Sequence, residues 1–314
     1  MNRLTKSTLG VITASLLCAG TAQADSLAYS SLEILGIKLT DGAGTQLDGG
    51  VGGNINVLGF TNSTTNLANL ASVGGLGLNA SNNAFGSQVC QGASCGAVSG
   101  HAEQGPFGSL HFARALSDLS GTIVSGLGAG AGGSTAKTTA ETQLSMMNDE
   151  GIGNSNIQLN AGFDFELSND TFVGFEFSTM GGIHAWQTAD SNPGADAQAS
   201  VDFTITIIDN TGAKVFDWSP DGVDGNAANA IDNDADGVSL NDSLPAAFAG
   251  QNFSRDLTGT WSASSHAMLS AGVLYTLAIN HTSAVQATRD VPEPGSLALL
   301  GLGLASLGFR MRKS

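Results

Sequence analysis

Apolar and polar residues alternate with period two over several segments of the chain. Ile157, Leu159, Ala161, Phe163, Phe165 and Leu167 share one face, while Gln158, Asn160, Asp164 and Glu166 lie among the residues of the other. Val173, Phe175 and Phe177 follow Ser168-Asn169-Asp170, which reads as the turn of a hairpin. The same alternation runs through Ala199, Val201, Phe203, Ile205 and Ile207, and again through Ala271, Val273, Tyr275, Leu277 and Ile279. It is the pattern of half-buried antiparallel strands, not of helices. Residues 32–39 and 55–60 are further expected strands, and no repeat recurs at a period of about 20 to 50 residues to suggest a solenoid or propeller. The expected fold is all-β, an antiparallel two-sheet β-sandwich of jelly-roll type, with helices mainly at the two ends of the chain.

Composition narrows the class. Of 314 residues 43 are glycine, and 12% are charged, against averages of about 7% and about 25%. That balance argues against a helical or coiled-coil protein. With 27 acidic and 11 basic side chains the net charge is −16, and no basic cluster lies away from the termini, so no nucleic-acid partner is expected.

The two ends carry their own signals. Arg3 and Lys6 precede an apolar run over residues 9–19 and then Ala22-Gln23-Ala24, the order of a secretory signal peptide cleaved between Ala24 and Asp25. Cys18 follows Leu17, where a lipid-modified cysteine needs a small residue, so lipidation is not expected. At the other end Val291-Pro292-Glu293-Pro294-Gly295-Ser296 leads into the apolar stretch 297–309 and the cations Arg310, Arg312 and Lys313. The stretch is shorter than the ~20 residues of a transmembrane helix. It suits a cleavable tail that enters the inner membrane transiently, with its cationic end kept inside.

Pro292-Glu293-Pro294, the glycine-rich apolar segment and the basic terminus together resemble the PEP-CTERM sorting signal of Gram-negative bacteria. The resemblance covers the last 24 residues. It implies that exosortase, a membrane enzyme, recognises the motif and removes the tail, leaving an exported protein at the cell surface or outside the cell. It also implies association with exopolysaccharide or biofilm. The run from Phe216 to Gly222 resembles exosortase-dependent surface proteins more loosely. The expected organisation is a signal peptide over 1–24, a β-sandwich over 25–290 and a sorting signal over 291–314. Residues 25–292 hold 26 acidic and 6 basic side chains, a charge of −20.

Within that body, Cys90 and Cys95 are close in sequence and destined for an oxidising compartment, so a local disulfide is favoured over half of a zinc site. Seven aspartates lie between Asp217 and Asp242 with no basic residue among them. Asp232-Asn233-Asp234-Ala235-Asp236-Gly237 matches the start of a calcium loop, since carboxylates at alternate positions converge on one hard cation. Ser243 stands where an EF-hand has a bidentate Glu, so a β-loop calcium site at Asp232, Asp234 and Asp236 is the expectation, against a solvated acidic loop.

Other motifs match in letters only. Gly92-Ala93-Ser94-Cys95-Gly96 has the spacing of a nucleophile elbow but no amphipathic helix follows it. The glycine-rich run 128–133 has no βαβ surroundings, and His101, His111, His184, His266 and His281 are isolated. Outward carboxylates such as Asp164, Glu166 and Glu176 leave a glycosidase open, yet three Trp and two Tyr are few for a sugar-cleaving groove. The expected function is a non-enzymatic surface or matrix protein stiffened by calcium. The alternative is a carbohydrate-binding module using Trp186 or Trp218, with a secreted hydrolase a distant third.

Overall fold

The computed structural model describes residues 25–289 apart from 50–52, 60–62, 74–77, 83–85, 99, 105–109, 121–123, 126–134, 146–148, 190–194, 224, 228 and 234–236. The expected terminal helices therefore lie outside the described residues. Among those described, the secondary structure is β apart from a 3-10 turn at Ala71–Val73.

The strands in chain order begin with β1 (Ser26–Asp41), β2 (Ile55–Gly59), β3 (Ser63–Leu70), β4 (Leu78–Asn82), β5 (Gly86–Gln91) and β6 (Phe112–Ser120). Next come β7 (Val124–Ser125), β8 (Thr135–Leu144), β9 (Asp149–Leu167), β10 (Val173–Gln187), β11 (Ala197–Asp209) and β12 (Lys214–Trp218). The last are β13 (Gly225–Ala227), β14 (Ala230–Asp232), β15 (Asp242–Ser243), β16 (Asn252–Asp256), β17 (Gly259–Ser265) and β18 (Leu274–Arg289). One sheet runs β13-β14-β17-β10-β1-β8-β6-β5, with β16 also on β10 and β7 on β1. The other runs β12-β11-β18-β9-β3-β4, with β15 on β11 and β2 on β9. Among the described residues strand pairing is antiparallel save the short β1–β7 contact.

The segments on either side of Ser168-Asn169-Asp170 are strands, as their alternation predicts, but they do not form a hairpin. β9 pairs with β18 and β3, whereas β10 pairs with β1 and β17 in the opposite sheet. The connection thus steps across the core. Alternation marks which face of a strand is buried and is silent on its neighbour.

Two kinds of interior fill the sandwich. Phe163, Phe165, Phe175, Phe177, Phe203, Phe216, Trp218 and Trp261 are buried in one hydrophobic cluster that draws on both sheets. Elsewhere the inward residues are small and polar: Thr138 Oγ1 lies 2.7 Å from both His281 Nε2 and Ser283 Oγ, and Ser30 Oγ donates to the Ser200 carbonyl at 2.7 Å. The sheets approach closely there. A Cβ on Gly153 would stand 2.6 Å from the Arg114 carbonyl oxygen, so only glycine fits.

The first and last strands are both central. β1 lies between β8 and β10, β18 between β9 and β11, and the two pack face to face across the core.

Candidate functional site

The outer face of the ten-stranded sheet carries the densest chemistry. Tyr29, Ser31 and Glu33 of β1, Lys137, Thr139 and Glu141 of β8, and Arg114 of β6 point outward there by strand alternation. Residues 100–104, between β5 and β6, lie over this face as a strap. Tyr29 Oη donates to the His101 carbonyl at 2.8 Å, His101 Nδ1 lies 2.8 Å from Thr139 Oγ1, and the Gln104 amide donates to Glu141 Oε1 at 3.0 Å.

Arg114 holds both the strap and the sheet. Its Nε donates to Glu141 Oε2 at 2.8 Å, while Nη1 and Nη2 donate to the carbonyls of Gly100 and Ala102 at 2.8 and 2.7 Å. Both side chains of the Arg114–Glu141 pair are 0% exposed. Burial pushes the Glu141 carboxyl up, and Arg114 opposes that shift. At the strap's far end Glu103 Oε1 lies 2.9 Å from His184 Nδ1, and His184 Nε2 lies 2.8 Å from Asn252 Oδ1. The Glu103 bond raises the His184 pKa, whereas burial lowers that of His101.

Beyond the strap the same face opens into a groove of about 390 Å³ across β1, β10 and β17. A bulge in β1 between Leu35 and Lys38 forms one wall, with Gly36 at φ 59°. Lys38, Glu176, Ser178, Thr260, Ser262 and Asn233 supply its polar lining.

Cys90 and Cys95 form a disulfide with Cα atoms 5.8 Å apart, and Cys90 sits directly opposite Arg114 in the β5–β6 ladder. Ser94, inside that loop, is bonded to His111 through both its amide and its hydroxyl.

Of the acidic run, Asp234 and Asp236 lie outside the described residues, and Asp232 is a buried residue of β14. The fold brings cations to a run that has none in sequence. Lys214 Nζ lies 2.9 Å from Asp217 Oδ2, and Arg255 pairs with Asp242. Among the described residues no group of three His, Cys, Asp or Glu side chains is placed to hold a metal.

Asp164 and Glu166 belong to β9 and Glu176 to β10, so Glu176 lies on the sheet opposite the other two and does not pair with them. Trp218 and Trp261 are 1% exposed and fill the core, while Trp186 is half-buried. His111 and His281 are buried, whereas His101 and His184 are half-buried and His266 is exposed.

Sequence spacing missed one constellation. His111 Nε2 lies 3.3 Å from Ser72 Oγ and 2.6 Å from Asp149 Oδ2. A catalytic triad uses the two ring nitrogens separately, one for serine and one for the carboxylate. Here both partners meet the same nitrogen, and the group clasps the 3-10 turn to the start of β9.

That clasp lies at the pole where both ends of the fold meet. The Asp25 amide donates to Thr188 Oγ1 at 2.9 Å, and Asp25 and Arg289 are both buried there. β1 begins one residue past the expected signal cleavage, and β18 ends at Arg289.

No helix among the described residues is long and apolar enough to cross a membrane, and the stretch 297–309 lies outside them. No curated protein matches the chain. A solved structure, "Structure of infectious bursal disease virus Gt strain", aligns at 12% identity over 90% of this chain and 85% of that one, with a TM-score of 0.10. The C-terminal tail does match: residues 290–313 fit the PEP-CTERM protein-sorting motif, which implies exosortase processing and export to the cell envelope or surface.

Proposed function

We propose that the protein is a non-enzymatic structural component of the cell surface or extracellular matrix, associated with exopolysaccharide or biofilm. Its signal peptide is removed at Ala24–Asp25, its tail enters the inner membrane transiently, and exosortase removes that tail. The observation that carries this reading is positional. The sorting match starts at residue 290, directly after the last residue of β18, so the body fills the interval between the two processing signals. Replacing Pro292, Glu293 and Pro294 by alanine tests it. The wild-type protein is expected in the outer envelope or medium and the variant in the inner membrane, and the same distribution for both would contradict the reading.

The groove on the ten-stranded sheet favours a second reading, a carbohydrate-binding module. Its hydroxyl and amide lining with one Lys and one Glu suits a polyhydroxylated ligand, and its volume falls in the range of about 300–1,000 Å³ common for small-molecule sites. Trp218 is too deeply buried to touch such a ligand. Affinity for the producing cell's polysaccharide, lost in Glu176→Gln, would support this role, whereas equal affinity in the variant would remove the groove from it. Calcium at Asp232, Asp234 and Asp236 belongs to the same structural proposal, as a stiffener of the acidic loop.

A further inference from the structure

The end of β18 is fastened on several sides. The Thr288 amide donates to the Asp196 carbonyl at 2.8 Å, the Asp196 amide donates to Thr288 Oγ1 at 2.9 Å, and Thr288 Oγ1 donates to Asp196 Oδ1 at 2.7 Å. Gln187 Nε2 donates to the Thr288 carbonyl at 3.3 Å. Thr288 and Arg289 are also laddered to Glu150 and Asp149 of β9.

Arg289 is 2% and Asp25 6% exposed. Arg289 Nη1 and Asp25 Oδ1 have no hydrogen-bond partner among the described residues. Each is the other's opposite charge: Asp25 holds the Arg289 pKa up and Arg289 holds that of Asp25 down, while burial shifts both the other way. Thr288 with Asp196 fastens the strand end beside them.

Only Asp290 and Val291 separate Arg289 from Pro292. At full extension the Cα of Pro292 is at most ~11 Å from that of Arg289. An enzyme that cuts a chain takes residues on both sides of the broken bond in extended form along its own surface. Thr288 and Arg289 belong to a central strand, and Thr288 is bonded to Asp196 on one side and laddered to β9 on the other. The processing enzyme cannot take them while the ladder is closed.

We propose that the Thr288–Asp196 clasp is a lock on tail removal, and that the last residues of β18 must unzip before the tail is cut. This inference rests on the reading that the tail is removed by exosortase. In the cut itself one peptide bond breaks: water, or an amine acceptor in its place, adds to the acyl carbon, and the leaving amine of the tail carries away the proton. The lock acts before that step. When opening and closing are fast, cleavage tracks the open population. Loss of the two hydrogen bonds of Thr288 Oγ1 raises such a population about five- to thirtyfold.

The test follows loss of the tail by intact mass after pulse labelling, in the organism that makes the protein. Three full-length chains are compared: wild type, Thr288→Ala, and a chain with a flexible Gly-Ser spacer inserted between Arg289 and Asp290. The spacer leaves the fold untouched and frees the motif from the ladder, so its result stands even if Thr288→Ala folds poorly. Tail loss is expected about five- to thirtyfold faster in Thr288→Ala and at least as fast in the spacer chain. Rates equal to wild type in both, or slower in either, would overturn the lock. A wild-type chain that never loses its tail would overturn the sorting reading itself and the lock with it.

Discussion

Arg114 and Glu141 face each other in register on β6 and β8, and their ion pair is sealed from water by a strap that the same arginine holds down through the carbonyls of Gly100 and Ala102. Removing one partner leaves the other charge buried and alone. Arg114→Ala is expected to lower stability by about 3–5 kcal/mol, and the double change Arg114→Met with Glu141→Leu to recover much of it. Urea unfolding measures both. A loss under about 1 kcal/mol for Arg114→Ala would show that the pair is not the clasp described.

The strap's other fastening depends on pH. The hydrogen bond that His184 donates to Glu103 raises its pKa, with Asn252 on the other ring nitrogen and Tyr29 opposite in the ladder. A raised histidine stabilises fully below its ordinary value of about 6.5 and loses that contribution as pH rises through the folded value. Both side chains are partly exposed, so the effect is expected below about 1 kcal/mol. Hydrogen exchange at the Gln104 amide, corrected for intrinsic rate, is expected to lose protection between pH 6 and pH 9 in wild type and to stay flat in His184→Gln. Equal behaviour in the two chains would count against it.

His281 sets an acid limit. Fully buried between the sheets beside Thr138, its imidazole is pushed down to about 3 by burial. The folded protein therefore keeps it neutral while the unfolded chain takes up a proton near about pH 6.5. Stability is complete above that value and falls as pH drops toward about 3, by an amount on the order of 4 kcal/mol from this residue. Unfolding curves across that range are expected to be shallower in His281→Gln, and an identical pH slope would contradict the assignment.

Calcium is expected to raise the melting temperature through the loop holding Asp232, Asp234 and Asp236, because a bound cation relieves repulsion among clustered carboxylates. An unchanged melt at millimolar calcium, or an equal rise in Asp234→Asn with Asp236→Asn, would remove calcium from the account.

The strand faces were legible because burial imposes a period of two, and Phe163, Phe165, Phe175, Phe203 and Ile205 all point inward as their spacing predicts. Strand partners were not, because pairing rests on contacts far apart in sequence. The turn at Ser168–Asp170 looks the same whether it closes a hairpin or crosses between sheets. The strap left one trace in the sequence: Arg114 stands alone among Phe112, Ala113, Ala115 and Leu116. A lone cation in an apolar strand needs a buried partner, yet nothing in the spacing points to Glu141. The C-terminal sorting signal was the clearest part, since its motif, apolar segment and basic end depend on local order alone.

The central claim is that the body between Asp25 and Arg289 is what remains after two processing events. Intact-mass spectrometry of the protein recovered from its native surface or medium, with and without reduction, tests it most directly. The account predicts a mass that begins at Asp25, ends near Pro292 and gains two hydrogens when the Cys90–Cys95 bond is reduced. A mass that retains Arg310 to Ser314 would show that the tail survives, and would contradict the account.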